Sequence, residues 1–187
     1  MEEKKQKSPL VAGLISWTKT IIIAVLLALL ITRVLIINTS VMSGSMENTI
    51  MTGDRVISNR LAYINSDPKR FDIVIFEYPF EEPTIHYVKR IIGLPGETVE
   101  IADGKVYING STEPLPDDFV NQESEPEGDF GPYTIPEDHY FFLGDNRNNS
   151  LDSKNWPSPY VHRDRIKARA MFVYYPHFSI IKSYTAQ

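Results

Sequence analysis

The sequence contains no cysteine, and this absence excludes several chemistries at once. Without thiols the chain can form no disulfide, no thiolate nucleophile and no cysteine-ligated zinc site. Basic residues are also few, because 19 Lys and Arg stand against 24 Asp and Glu, for a formal net charge of −5. Binding to nucleic acid requires a basic face, so nucleic acid is not an expected partner. A chain of 187 residues can form one globular domain with appendages.

Long uncharged runs are missing too, although one segment comes close to a membrane span. Lys19 and Arg33 enclose thirteen uncharged residues, whereas a hydrocarbon core requires about 20. If both cationic side chains extend towards the membrane interfaces, a helix over residues 14–37 is long enough. Trp17 would then lie at an interface, where its ring is favoured. We therefore predict a transmembrane anchor at residues 14–37.

Other interpretations of this segment fit the sequence less well. A cleaved signal peptide would need a small-x-small site, and none follows Leu30. A buried helix or a helix lying on a surface would have a polar face, but residues 21–30 are apolar all round. The N-terminal end of the chain is basic, with Lys4, Lys5, Lys7 and Lys19. Basic residues favour the cytoplasmic side of a membrane, so we predict residues 1–13 in the cytoplasm and residues 38–187 outside the cell membrane.

Beyond residue 38 the pattern predicts a mainly β fold of short strands. Runs rich in β-branched and aromatic residues alternate with Gly, Pro, Asn and Asp turn signals. Residues 98–138 read as a smaller inserted β sub-region, with an acidic excursion over residues 111–138. No helical repeat is present. The strongest predicted strands are 72–78, 85–92, 98–101, 105–108, 140–143 and 167–175.

A serine follows the predicted anchor closely, in the segment Met42-Ser43-Gly44-Ser45-Met46. Glycine before Ser45 allows the backbone to approach another group closely and leaves the hydroxyl accessible. Taken alone, this segment is also typical of a linker.

A lysine lies inside an apolar strand pattern at residues 85–92. In strict alternation Tyr87, Lys89 and Ile91 share one face of the strand. Burial disfavours an ammonium ion and lowers the pKa of lysine from about 10.4, which leaves an amine able to accept a proton. The competing interpretation is an edge-strand lysine that prevents aggregation.

A dense polar loop, residues 144–154, follows an aromatic strand. It is either a solvated turn or a scaffold of hydrogen bonds that holds other groups in place.

Five segments occur in a characteristic order behind the anchor: Ser43–Met46, Thr52–Val56, Phe71–Phe76, Lys89–Gly96 and Gly144–Lys154. In sequence and order they resemble the type I signal peptidase family, also called leader peptidases. The resemblance covers about residues 15–175, and the short body resembles Gram-positive members. It implies a membrane-bound serine endopeptidase that removes signal peptides from secreted preproteins after small residues.

The resemblance also implies residue roles. Ser45 would be the nucleophile, and Lys89 would be the general base that takes its proton. The Ser45 backbone N–H and the Ser43 hydroxyl would form the oxyanion hole. Ser150 would orient the Lys89 amine.

Further residues would support this pair. Asp145 and Asp152 would brace the site, with Asp152 paired to Lys154, and Met46 would border the substrate cleft. The resemblance implies no metal and no organic cofactor. The expected partners are preproteins and membrane lipid.

The sequence departs from the common family pattern at four positions. None is the nucleophile or the base, but the loop and the Asp152 ion pair are affected, because lysine cannot form arginine's bidentate fork. The departures are Met42 for a proline or aspartate, Asn48 for a proline, Asn148 for an aspartate and Lys154 for an arginine.

Other functions fit the sequence less well. Four histidines are present, yet no G-x-S-x-G elbow or HExxH motif accompanies them, which disfavours a histidine triad or a metallohydrolase. Self-cleaving SOS-type repressors share the fold and the dyad, but the chain has a membrane span and no helix-turn-helix pattern. A silent β module that binds exported chains would tolerate loss of Ser45 or Lys89, and both are present.

Overall fold

The structure, a computed structural model, describes residues 9–120, 128–182 and 184. The chain divides into two units, residues 1–36 and residues 37–187. The first eight residues of the predicted cytoplasmic N-terminus and the middle of the predicted acidic excursion lie outside the described part.

An apolar helix dominates the first unit. Helix α1 spans Pro9–Leu30 and continues as a π-helical turn over Ile31–Leu35. Within it, Gly13–Leu35 is long and apolar enough to cross a membrane. The helix ends two residues before the predicted residue 37, because Ile36 already has extended backbone angles (φ −125°, ψ 151°). β-branched residues such as Ile36 favour extended backbone, and this one begins the first strand.

The second unit is built from short strands joined by turns. Short 3₁₀ turns occupy Gly44–Met46, Arg60–Tyr63, Arg147–Asn149 and Arg163–Arg165. In chain order the strands of the described residues are β1 Ile36–Ser40, β2 Arg55–Asn59, β3 Ile73–Glu77, β4 His86–Gly93, β5 Thr98–Ala102, β6 Lys105–Ile108, β7 Phe130–Thr134, β8 His139–Leu143, β9 Val161–His162, β10 Ile166–Tyr175 and β11 Ser179–Ile180.

These strands form a large and a small sheet. The large sheet has the order β1-β2-β10-β3-β4-β8-β9, with β11 also paired to β10. Strand β4 pairs antiparallel with β3 along its first half and with β8 from Arg90 onwards. The prediction of a mainly β fold with one N-terminal apolar helix is confirmed.

The small sheet has the order β6-β5-β7 and occupies residues 98–134. A turn at Asp103-Gly104 joins β5 to β6, at the position where the sequence predicts a hairpin. Buried side chains of β5 share one apolar cluster with Phe141 and Leu143 of β8, so the small sheet packs against the strand that leads into the polar loop.

Stacked aromatic rings fill the core beneath strands β3 and β8. The rings of Phe76 and Phe142 stack with their centres 4.6 Å apart, and Trp156 packs against Phe76 at 5.9 Å. Residues of β3 from Ile73 to Phe76 are buried on both faces of the sheet. This explains why the segment has a continuous apolar run instead of an alternating pattern.

We predict that Phe76→Ala destabilises the chain by about 3–5 kcal/mol, because it removes a fully buried ring and leaves a cavity. Denaturant unfolding of the detergent-solubilised chain, followed by tryptophan fluorescence, measures this change. Phe178→Ala is the control, since that ring is 70% exposed, and it should change stability by no more than about 0.5 kcal/mol. Equal losses for the two variants would contradict the packing described here.

Candidate active site

A cleft of about 410 Å³ brings the serine segment, the lysine strand and the polar loop together. Ser45 and Lys89 both line it. The three motifs are spread over some 100 residues of sequence, yet they meet at one place on the large sheet. The lining residues are Thr39–Ser43, Ser45, Met46, Ile85–Lys89, Asn149 and Leu151.

Ser45 is held in a tight 3₁₀ turn, Gly44–Met46, directly after strand β1 and a short extended link. It lines the cleft and is only 6% exposed, so it meets little bulk solvent. The Ser43 Oγ lies 3.3 Å from the Ser45 Oγ. A Cβ on Gly44 would overlap the Glu47 carboxylate, so a larger residue here would require that side chain to move.

Lys89 lies in the middle of strand β4 and is 3% exposed. Burial lowers the pKa of its amine from 10.5 to about 8. This value includes nearby charges as well: the carboxylates of Asp152 and Asp145 raise the pKa, and the Lys154 cation lowers it. The amine is therefore neutral in a large fraction of molecules at mildly alkaline pH. The alternative interpretation, a solvated edge-strand lysine, is wrong for this residue because Lys89 is buried.

The polar loop is fastened to the serine turn by hydrogen bonds. The backbone N–H of Asn146 donates to the Ser45 carbonyl at 3.1 Å, and the Asn146 side-chain amide donates to the Gly44 carbonyl at 3.0 Å. The loop is thus a scaffold for the serine turn and not a solvated turn.

Gly144 makes the close contact between the loop and the serine turn. A Cβ at this position would overlap both the Ser150 hydroxyl and the Ser45 carbonyl oxygen. The sequence predicted only that Gly144 ends a strand. Its place before an aspartate in a dense polar loop was the available signal for a packing role.

Ser150 lies beside Gly144, in the polar loop. Its Oγ is buried and has no hydrogen-bond partner among the described residues. The expected orientation of the Lys89 amine by Ser150 stays a prediction.

A buried ion pair between Arg90 and Asp145 joins strand β4 to the polar loop. Arg90 donates two hydrogen bonds to the Asp145 carboxylate, from Nε at 2.7 Å and from Nη2 at 2.6 Å, and both side chains are fully buried. The Thr49 hydroxyl also donates to Asp145, at 2.5 Å, and Arg90 donates to the Phe71 carbonyl at 2.9 Å. Asp145 was expected to brace the site, whereas its partner Arg90 was not identified from sequence.

Asp152 accepts hydrogen bonds from two directions. One oxygen accepts the Gly144 N–H at 3.0 Å, and the other forms an ion pair with Lys154 Nζ at 3.0 Å. Lys154 also donates to the Arg147 carbonyl at 3.1 Å. Lysine therefore forms the Asp152 pair through one contact and uses a second donor on the backbone of the same loop.

The remaining candidate residues occupy different parts of the site. Met46 is 1% exposed; it lines the cleft and packs in the apolar cluster with Ile50. Met42 lines the same cleft but is 90% exposed. His86 also reaches the cleft, on the exposed start of β4, whereas Lys89 lies at its buried middle.

Carboxylates and histidines form no cluster of three or more that could bind a metal ion in the described part of the chain.

Comparison with known proteins relates this chain to signal peptidases. The family described as "Signal peptidase, peptidase S26" matches residues 14–175. A signal peptidase I of Bacillus amyloliquefaciens is 38% identical over 189 residues, which cover 98% of this chain and 100% of that protein. Signal peptidase I T of Bacillus subtilis (strain 168) is 42% identical over 168 residues, which cover 87% of this chain and 86% of that protein.

A solved structure of a signal peptidase I from Enterococcus faecalis V583 is 35% identical to this chain. The superposition includes 56% of this chain and 97% of the Enterococcus faecalis chain, with a TM-score of 0.47. The sequence identities and the family match, not this superposition, define the relationship. The chain is a peptidase. It belongs to the signal peptidase family, peptidase S26.

We predict that Asp145→Asn destabilises the chain by about 3–5 kcal/mol, because it leaves the buried Arg90 cation without a counter-charge. Denaturant unfolding measures this loss. In the double variant Arg90→Met/Asp145→Leu this ion pair is removed, so it should be more stable than the sum of the losses in Arg90→Met and Asp145→Leu predicts, which gives a large coupling energy. Strict additivity of the single and double variants would rule out a direct energetic link between the two side chains.

Proposed function

We propose that this peptidase removes N-terminal signal peptides from secreted preproteins, with Ser45 as nucleophile and Lys89 as general base. The observation that carries the proposal is the burial of both side chains at one cleft, with the Lys89 pKa lowered to about 8. A serine hydroxyl is a weak nucleophile until a neighbouring base accepts its proton. A neutral amine in an apolar setting can act as that base at moderately alkaline pH.

The reaction follows from these two groups. Lys89 Nζ accepts the proton of the Ser45 hydroxyl while Oγ bonds to the scissile carbonyl carbon. The resulting ammonium then gives that proton to the leaving amine, and the C–N bond breaks. Water, with Lys89 again as base, hydrolyses the acyl-enzyme ester and releases the signal peptide.

Negative charge on the carbonyl oxygen needs donors fixed in advance. The Ser45 backbone N–H and the Ser43 hydroxyl are the proposed donors, and the 3.3 Å separation of the two serine Oγ atoms supports the second. A donor of this kind is worth about 2.7–4 kcal/mol in other serine proteases. The bonds from Asn146 and the close approach of Gly144 favour a rigid turn, which keeps those donors in position.

An extended substrate fits the open part of strand β4. Among the described residues of β4, only Arg90, Ile91 and Gly93 pair with β8, so the edge before them can bond to a peptide. That edge lines the cleft and leads to Lys89. A substrate strand added here would present alternate side chains to the cleft, which is consistent with small residues at the first and third positions before the cut.

Membrane anchoring supports the same function. A helix of the length of Gly13–Leu35 with basic residues before it favours a single-pass protein with its N-terminus in the cytoplasm and its catalytic unit outside. A preprotein held in the same bilayer by its own apolar segment would meet the enzyme at high effective concentration.

We predict that Ser45→Ala and Lys89→Met each lower kcat for preprotein cleavage by about 10⁴-fold or more. The first change removes the nucleophile, and the second removes its base. Cleavage of a purified preprotein in detergent or vesicles measures the rate. Ser179→Ala and Lys105→Gln are matched controls outside the cleft and should retain wild-type rates. Wild-type cleavage by either dyad variant would disprove the proposed mechanism.

The pH dependence provides a separate prediction. Because only the neutral Lys89 amine accepts a proton, kcat/KM should rise about tenfold per pH unit below pH 8 and level off above it. Lys154→Gln should move this rise to higher pH, since the Lys154 cation lowers the Lys89 pKa and Asp152 raises it. Lys105→Gln should leave the rise unchanged. A rise centred near pH 4–5, where carboxylates titrate, would identify a different base.

A further inference from the structure

Two histidines face each other across the sheet edge, away from the catalytic cleft. His139 begins strand β8 and His162 ends strand β9, and the two are direct partners in the antiparallel pairing. Their ring centres lie 5.0 Å apart with the planes at 83°. Neither residue lines the cleft that holds Ser45.

Each ring has a local partner for its Nδ1 atom. His139 Nδ1 lies 2.8 Å from the Glu137 carbonyl oxygen, which only an N–H can satisfy. His139 is therefore the tautomer with its proton on Nδ1 and a free lone pair on Nε2. A histidine that binds a metal through Nε2 commonly donates its other N–H to a carbonyl or carboxylate in this way.

His162 can adopt the same arrangement. Its Nδ1 lies 3.5 Å from an Asp164 carboxylate oxygen and 3.2 Å from the Asp164 backbone N–H. In the first contact the ring donates from Nδ1 to the carboxylate and its Nε2 lone pair is free. In the second it accepts at Nδ1 and carries its proton on Nε2. A cation at Nε2 would select the first, because a metal needs the Nε2 lone pair.

The spacing of the rings fits a shared cation. Two imidazoles bound at about 2.0–2.1 Å, with a roughly tetrahedral angle at the metal, have ring centres about 5 Å apart. From the cross-strand pair, its ring separation and the Nδ1 contact of His139, we propose that His139 and His162 form a two-histidine site for a late transition-metal dication such as Zn²⁺ or Cu²⁺.

This site differs from a catalytic metal centre. No third His, Asp or Glu completes a larger cluster among the described residues, so water would fill the other coordination positions. His162 is 44% exposed in its side chain, which gives a metal ion direct access from solvent. The bound ion would cross-link β9, a strand of two residues, to β8. Its consequence is stabilisation of this sheet edge, and hydrolysis does not require it.

Metal titration of the full, untagged chain in detergent tests the proposal. Zn²⁺ should bind at one site per chain and raise the melting temperature, whereas Mg²⁺, which prefers oxygen ligands, should do neither. His139→Gln and His162→Gln should each weaken Zn²⁺ binding by about tenfold or more. His177→Gln, at an exposed histidine outside the pair, is the matched control and should bind as the wild type does.

Cu²⁺ binding gives a readout that needs no variant. The electron paramagnetic resonance spectrum of the wild-type chain with one equivalent of Cu²⁺ should show two equivalent nitrogen ligands. The proposal is overturned if millimolar Zn²⁺ does not bind, if His177→Gln weakens binding as much as the paired variants do, or if the copper spectrum shows fewer than two nitrogens.

Discussion

The buried ion pair between Arg90 and Asp145 is the interaction on which the site depends. It joins strand β4 to the polar loop, and through Thr49 and the Phe71 carbonyl it also reaches the segments on either side of β2. Two fully desolvated charges are costly unless each hydrogen-bonding position is filled. Here each guanidinium nitrogen and each carboxylate oxygen has at least one partner, and Arg90 also lies over the Phe119 ring at 3.9 Å.

Because this pair fixes the loop, the loop can fix the serine turn. Asp145 is followed at once by Asn146, whose two bonds reach the Gly44 and Ser45 carbonyls. Gly144, just before it, packs against the same turn. Neighbouring positions of one short segment thus connect a buried charge, a close backbone contact and the proposed nucleophile. Preorganisation of this kind is what a serine nucleophile and its oxyanion donors require.

The environment of Lys89 results from the same architecture. Successive side chains of a strand point to opposite faces. Lys89 therefore faces the cleft, whereas the next residue, Arg90, faces Asp145 on the other side of β4. Burial lowers the Lys89 pKa, and Lys154 partly offsets the nearby carboxylates. The replacement of arginine by lysine at position 154 leaves a single contact to Asp152, yet it keeps a cation where the amine of Lys89 is sensitive to charge.

The sequence by itself determined the class of fold and the main candidates for the site. β-branched runs predicted the strands around residues 72–78 and 85–92, and the apolar segment before residue 37 predicted the helix. Strands β1, β2, β9 and β11 were missed, since their sequences are short or polar and tertiary pairing decides their conformation. The identity of Ser45 and Lys89 as candidates came from the order of five motifs, not from either residue alone.

Only the tertiary structure decided which side chains meet. Local patterns report periodicity and turn chemistry, but contacts between residues some 50 or 100 positions apart depend on strand order, which no local pattern contains. The partner of Asp145 was therefore not foreseen, nor was the contact between Gly144 and the Ser45 carbonyl. The pairing of His139 with His162 arose in the same way, since a two-residue strand gives no signal in sequence and the two rings face each other only because β9 pairs with β8.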